Sequence, residues 1–260
     1  MRKIYTGYVV VIFTILFFVL FPFFLIPIAF PSQHRLVGVL NRLWAKAFFI
    51  LCFMSFEVEC RSRLNKGAQY IFCANHFSYL DIPTMALTPV NSVFVGKNEM
   101  ENIPLFGFMY QRLHITVDRS KLTSRATTLL RTMDALDLGK SLVIYPEGGM
   151  LTTNPPEMAP FKDGAFRAAI EKQIPIVPVT IPFNWIILPD GPLMFRRGKV
   201  KVIFHSPIDT KGLTLESVSD LRLKVRKIID SELKVQLARN EYRQANIAED
   251  RAPVSARDQA

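Results

Sequence analysis

Hydrophobic and polar positions divide this chain into two regimes. From Ile4 to Phe30 no residue carries a charge. Those 27 residues would run roughly 40 Å as a helix at ~1.5 Å per residue. A bilayer core needs only ~20 apolar residues. The stretch is too long for the apolar core of a signal peptide, and no small-residue cleavage site follows it. A retained membrane anchor is expected. Pro22, Pro27 and Pro31 interrupt it, and proline breaks helices, so the segment is expected to kink, or to enter one leaflet and turn back. A second apolar stretch, Leu36 to Phe56, carries Arg42 and Lys46 one turn apart, which suits a helix at headgroup level. Cations flank the first segment on both sides, so charge bias chooses no orientation. A two-helix anchor over residues 1–56 is expected, with the rest of the chain in the cytoplasm. Its rival is a pair of core helices in a soluble protein.

Beyond Glu57 the period changes. Short β-branched and aromatic runs predict strands at Gln69–Ala74, Ser92–Gly96, Ile115–Val117, Ser141–Tyr145, Pro175–Ile181 and Lys199–His205. Helical spacing falls between them. Ser120 reads as an N-cap, Ala126, Leu129, Leu130, Met133 and Leu136 follow, and Gly139 stops the run. Shorter helices are expected at Asp81–Leu87, Pro104–Leu113 and Phe161–Lys172, and a longer amphipathic one at Thr214–Asn240. Residues 57–240 form the expected main domain, and the polar residues 241–260 an expected disordered tail. Alternating strands and helices argue for an α/β fold with a mostly parallel sheet flanked by helices. Ligands of such sheets bind beyond the carboxyl ends of the strands. Four expected strands end at residues able to do chemistry or hold an anion: Asn75 and His76, Lys97, Asp118 and Arg119, and Glu147 and Gly148.

Composition narrows the partners. Half of the 260 residues are hydrophobic, with 21 Phe, and the net charge is +10. A basic chain suits anionic headgroups or nucleic acid. The aromatics crowd the N-terminus instead of being placed to stack on bases, so lipid is expected and nucleic acid is not. Cys52, Cys60 and Cys73 form no paired motif and read as buried free thiols in a reducing compartment.

The chemistry centres on "CANHFSYLD", Cys73 to Asp81. A histidine titrating near ~6.5 is a workable base at neutral pH. It needs an acceptor behind its far ring nitrogen to fix the tautomer and stabilise the imidazolium. On a continuous helix His76 and Asp81 would stand about 140° apart. In a strand–loop–helix corner with Asp81 at the helix start they converge. By spacing alone a solvated loop is the commoner outcome. Ser78 between them raises a covalent option, but no Gly-x-Ser-x-Gly elbow occurs. Nor does a phosphate loop, a dinucleotide fingerprint or His-Glu-x-x-His. Metal ligation by His76, Asp81 and Glu147 is disfavoured by Lys97 and Arg119 in the same ring, which would repel a cation. Those two cations suit a phosphate. Glu147, between Pro146 and Gly148-Gly149, sits where backbone can approach a ligand closely.

Together these stretches resemble the glycerophospholipid acyltransferases. "NHFSYLD" is similar to that family's Asn-His-x-x-x-x-Asp block. "VGKNEMENIPLFG" with "ITVDRS" is similar to its second block, "VIYPEGG" to its Phe-Pro-Glu-Gly-Thr block and "IPIVPVTI" to its proline-centred fourth. "APFKDGAF" resembles the stretch that follows the third. Order and spacing agree from about Tyr70 to Ile181.

The resemblance implies an O-acyltransferase of phospholipid biosynthesis, in a bacterial inner membrane with its catalytic domain facing the cytoplasm. His76 would deprotonate the free hydroxyl of a lysophospholipid acceptor, most simply lysophosphatidate going to phosphatidate. Asp81 would orient the imidazole. Arg119 and Lys97 would hold the phosphate, Glu147 and Gly148 line the glycerol site and Pro178 shape the donor side. No cofactor or metal is implied. The co-substrate would be a thioester of acyl carrier protein or coenzyme A. One departure stands out: many members add Arg-Ser after Glu-Gly-Thr, whereas this chain reads Gly148-Gly149-Met150-Leu151. Either Lys162 substitutes or the acceptor bears a different headgroup.

Overall fold

The computed structural model describes residues 1–97, 105–117 and 122–239. The chain begins with α1 (Arg2–Ala29), reverses through a 3₁₀ turn (Pro31–Gln33) and returns as α2 (Arg35–Leu51). Then follow β1 (Ser55–Cys60), β2 (Ile71–Ala74), α3 (Asp81–Met85), β3 (Ser92–Lys97), α4 (Phe106–Leu113) and β4 (Ile115–Val117). The second half holds α5 (Leu122–Asp137), β5 (Ser141–Ile144), α6 (Gly164–Glu171), β6 (Ile176–Thr180), α7 (Asn184–Ile187), β7 (Lys199–Phe204) and α8 (Val218–Ala238).

The strands form one seven-stranded sheet in the order β1-β7-β6-β2-β5-β3-β4. Neighbours are parallel except β6 and β7, so the expected mostly parallel α/β sheet is what forms. Helices cover both faces, and β2 shows why its sequence is uniformly apolar. Phe72 and Ala74 face a core shared with Phe48 and Phe49 of α2, while Ile71 and Cys73 face one shared with Phe166 of α6 and Val225 and Ile229 of α8. A strand buried on both sides has no polar face to alternate with. Each such Phe or Ile contributes roughly 1.5–3 kcal/mol by leaving water.

The N-terminal region departs from its expected form. α1 runs through Pro22 and Pro27 without a break, and the reversal comes at Phe30–Pro31. It is long and apolar enough to cross a membrane, by length and composition. One side packs inward: Val9 and Phe24 are buried, and Tyr5 and Tyr8 donate to the carbonyls of Cys52 and Leu51 at 2.7 and 2.8 Å. The other side leaves Val11, Ile15, Phe18, Val19 and Phe23 exposed. α2 is not separate from the main domain, since Ala45, Phe48 and Phe49 belong to the principal core. A boundary at residue 56 also falls inside β1, an edge strand hidden at the end of the second apolar run. Arg42 is not free at a headgroup surface: it donates to the Thr88 carbonyl and, at 2.8 Å, to Asn91 Oδ1, tying α2 to the loop before β3. Of the three free cysteines, Cys52 and Cys73 are buried as expected but Cys60 is exposed. The expected N-cap Ser120 and tail 241–260 lie outside the described residues.

Candidate active site

The carboxyl ends of the parallel strands bring the candidate residues together. Where β2 ends, Asn75 continues the pairing with side-chain atoms: Nδ2 donates to the Ile181 carbonyl at 2.9 Å, and Oδ1 accepts from Ile181 N at 2.8 Å. The chain then leaves the sheet with His76 fixed at its first turn. α3 begins at Asp81, so the corner needed for convergence forms. His76 Nδ1 and Asp81 Oδ2 lie 3.0 Å apart. The same oxygen accepts from Phe77 N at 2.8 Å and Ser78 N at 2.9 Å. The carboxylate thus folds back over the loop that carries its partner. Asp81 is 1% exposed and His76 12%, which leaves one edge of the imidazole toward solvent. With Nδ1 donating to Asp81, Nε2 is the acceptor, the tautomer a base requires. Tyr145 stacks on the imidazole with ring centroids 4.0 Å apart and planes at 19°.

Ser78 is fully buried. Its Oγ donates to the Leu188 carbonyl at 2.7 Å and accepts from Leu80 N at 3.1 Å. Both bonds are structural, which leaves no role for it as a nucleophile.

Glu147 lies elsewhere than the sequence implied. Rather than facing substrate hydroxyls, it is fully buried behind His76. Oε1 accepts from His76 N and Oε2 from Ala159 N, both at 2.8 Å. Burial pushes its carboxyl up to about 7, opposed by those two backbone bonds and by Arg226. Arg226 of α8 donates to the carbonyls of Met158 and Ala159 at 2.7 and 2.8 Å, clamping the loop that supplies the second amide. Gly148 adopts φ +84°, and Lys162 Nζ lies where a Cβ would project. Only glycine allows both this left-handed backbone and the close approach of the ammonium. Pro178 is buried inside β6, paired opposite Cys73. Lys97 ends β3 with its side chain outside the described atoms, and Arg119 lies outside the described residues.

Among the described residues, no group of three or more His, Cys, Asp or Glu stands close enough to hold a metal ion. An apolar cavity borders the site, lined by Phe13 and Phe17 of α1, Trp44 of α2, Ile82 of α3 and Ala86 just after it, and Tyr110 and His114. Burial pulls the His114 imidazole down to about 4, and its Nδ1 accepts from Phe94 N at 3.2 Å, so the ring is neutral at pH 7.

Asn184, which opens α7, escaped the sequence reading. Its Nδ2 donates to Asp81 Oδ1 at 2.9 Å across 103 positions of chain. The one visible signal was a lone amide in the apolar run "IPFNWII", just beyond a strand end.

Known proteins fit this picture. The sequence profile of the acyltransferase family matches residues 55–182. A 1-acyl-sn-glycerol-3-phosphate acyltransferase of Saccharomyces cerevisiae is 33% identical over 206 residues, covering 78% of this chain and 68% of the yeast protein. A chloroplastic 1-acyl-sn-glycerol-3-phosphate acyltransferase of Arabidopsis thaliana is 28% identical over 68% of this chain, which spans about half of that longer protein. The crystal structure of the 1-acyl-sn-glycerophosphate acyltransferase of Thermotoga maritima superposes with a TM-score of 0.73, at 24% identity, over 90% of this chain and 97% of that one; at that identity the likeness speaks for the fold. The chain belongs to the acyltransferase family.

Proposed function

We propose that this protein moves a fatty acyl group from a thioester donor to the free hydroxyl of lysophosphatidate, giving phosphatidate. The His76–Asp81 contact at 3.0 Å carries the reading. His76 Nε2 takes the proton of the acceptor hydroxyl while Asp81 steadies the imidazolium. The oxygen attacks the thioester carbonyl, the carbon–sulfur bond breaks, and the thiolate regains the proton from His76. A positioned base of this kind contributes ~10²–10⁴ in rate, and alignment of two substrates supplies much of the rest. Glu147 acts as a brace on the His76 backbone, and Pro178 as a spacer within the sheet. Lys97, Arg119 and Lys162 beside Gly148 hold the phosphate. The apolar cavity next to α3 takes an acyl chain, and no cofactor takes part. The exposed face of α1, with α2 beside it, seats the protein on a bilayer, in a bacterial inner membrane with the site toward the cytoplasm. The donor is a thioester of acyl carrier protein or coenzyme A.

The sequence after Gly148, which lacks the family's usual arginine, supports a second reading in which the acceptor carries another headgroup. One assay tests both: purified protein with a panel of lysolipids against both thioesters, beside His76→Ala. Turnover of lysophosphatidate that falls at least ~10²-fold in the variant upholds the first. Turnover confined to another lysolipid upholds the second, and turnover unaffected by the substitution refutes both.

A further inference from the structure

We infer that Asn184 is a positioning residue for the reaction, acting on His76 through Asp81; this rests on the reading of His76 as the base. The two oxygens of Asp81 are engaged unequally. Oδ2 accepts from His76 Nδ1, Phe77 N and Ser78 N. Oδ1 accepts from Asn184 Nδ2 at 2.9 Å. Three of these four donors belong to the loop and helix that carry Asp81 itself. The fourth comes from beyond β6 and grips the carboxylate by its other end. A carboxylate held by one oxygen can turn about Cβ–Cγ; held by both, it presents Oδ2 to the imidazole in one plane.

The orientation of the Asn184 amide is dictated by its surroundings. Turned over, its oxygen would face Asp81 Oδ1, acceptor against acceptor. In the orientation adopted, Nδ2 serves Asp81 and, at 2.8 Å, Thr84 Oγ1, while Asn184 Oδ1 is buried without a partner. A buried acceptor left unmet destabilises the fold. An apolar residue of the same size would remove that unmet acceptor but leave Asp81 Oδ1, itself buried, without its donor, so packing of α7 alone does not account for an amide here. Attachment of α7 does not either, because Ser78 Oγ already ties the Leu188 carbonyl to the same corner.

The test uses the full-length protein in detergent, assayed with lysophosphatidate and an acyl thioester. Asn184→Leu keeps the size and removes the donor. Its kcat is expected to fall about 10- to 100-fold, the worth of a hydrogen bond to a charged group. Both KM values should stay within about twofold, since ground-state binding is untouched, while Tm should fall, because Asp81 Oδ1 is left buried without its donor. Thr84→Val removes the other partner and should cost less than about threefold in kcat.

Asn184→Asp keeps the shape and sets a second carboxyl against Asp81. Facing carboxyls share a proton more readily than isolated ones, and the protonated acid can donate as the amide does. Its rate relative to the parent should therefore be greatest near pH 6 and fall toward pH 8, across about the range where histidine titrates. His76, Glu147 and Tyr145, the other titratable groups around Asp81, are common to both proteins and cancel in the ratio. This arm decides the question if Asn184→Leu fails to fold.

Asn184→Leu within about twofold of the parent while His76→Ala is inactive overturns the inference and spares the base. A Thr84→Val loss as large as that of Asn184→Leu, or a flat pH ratio for Asn184→Asp, also overturns it. Full activity of His76→Ala overturns the reading beneath it.

Discussion

Glu147→Gln exposes a tension built into the site. The parent carboxylate accepts two backbone hydrogen bonds, from His76 N and Ala159 N, while buried completely. It titrates at about 7 in the folded chain against an ordinary 4.5. Between those values the folded chain keeps a proton that the unfolded chain has released. The stabilisation is therefore full below pH 4.5 and gone above about 7, a loss of about 3 kcal/mol. Glutamine cannot titrate and has one acceptor where two are needed. Its amide nitrogen must face a backbone N–H, which costs about 1–3 kcal/mol at every pH. The variant should thus be less stable than the parent near pH 5 and equal or more stable near pH 8, a swing of about 3 kcal/mol. Because the misplaced amide disturbs the His76 backbone, kcat at pH 8 should still fall roughly tenfold or more. Urea unfolding in detergent micelles, followed by fluorescence of Trp44 and Trp185, measures the first; a thioester-release assay measures the second. A stability difference between the two proteins that is the same at pH 5 and pH 8 would refute the reasoning.

Other consequences are open to test. Gly148→Ala forces a side chain into φ +84° and against Lys162. It should cost about 1–2 kcal/mol in thermal unfolding and raise KM for a phosphate-bearing acceptor more than KM for the thioester. Ala86→Leu narrows the apolar cavity and should shift acyl selectivity toward shorter chains by about tenfold in a competition between thioesters of different length; unchanged selectivity would place the chain elsewhere. Phe18→Asp with Phe23→Asp puts carboxylates on the exposed face of α1, each costing about 2.5–3.5 kcal/mol in a bilayer interior. The protein should then leave the membrane pellet in fractionation, and retention there would refute the membrane role of that face.

The buried strands were legible because an apolar run between turn residues has few other uses, and β3 through β7 lie close to where the spacing set them. β1 was not, since "SFEVEC" is a half-exposed edge strand adjoining an apolar helix, with no contrast in pattern to mark its start. α7 is one turn long, too short for periodicity to register. The prolines of α1 marked no helix end: each removes one N–H from the ladder, yet Pro22 and Pro27 lie inside one continuous helix, and the chain reverses at Phe30–Pro31.

Sequence by itself determined the alternation of strands and helices, the apolar N-terminal helix, and the order of blocks that sets a histidine and an aspartate five positions apart after a strand. These are local properties, carried by residues that are neighbours or repeat at a fixed period. Only the tertiary structure decided which polar residues stand at an open edge and which are buried behind it. Glu147 was read as a ligand and stands as a brace, Ser78 is consumed by backbone bonds, and Asn184 reaches Asp81 from the far side of β6. Whether a side chain meets water or the interior depends on strand order and on the approach of segments a hundred residues apart, and no spacing along one chain encodes that approach.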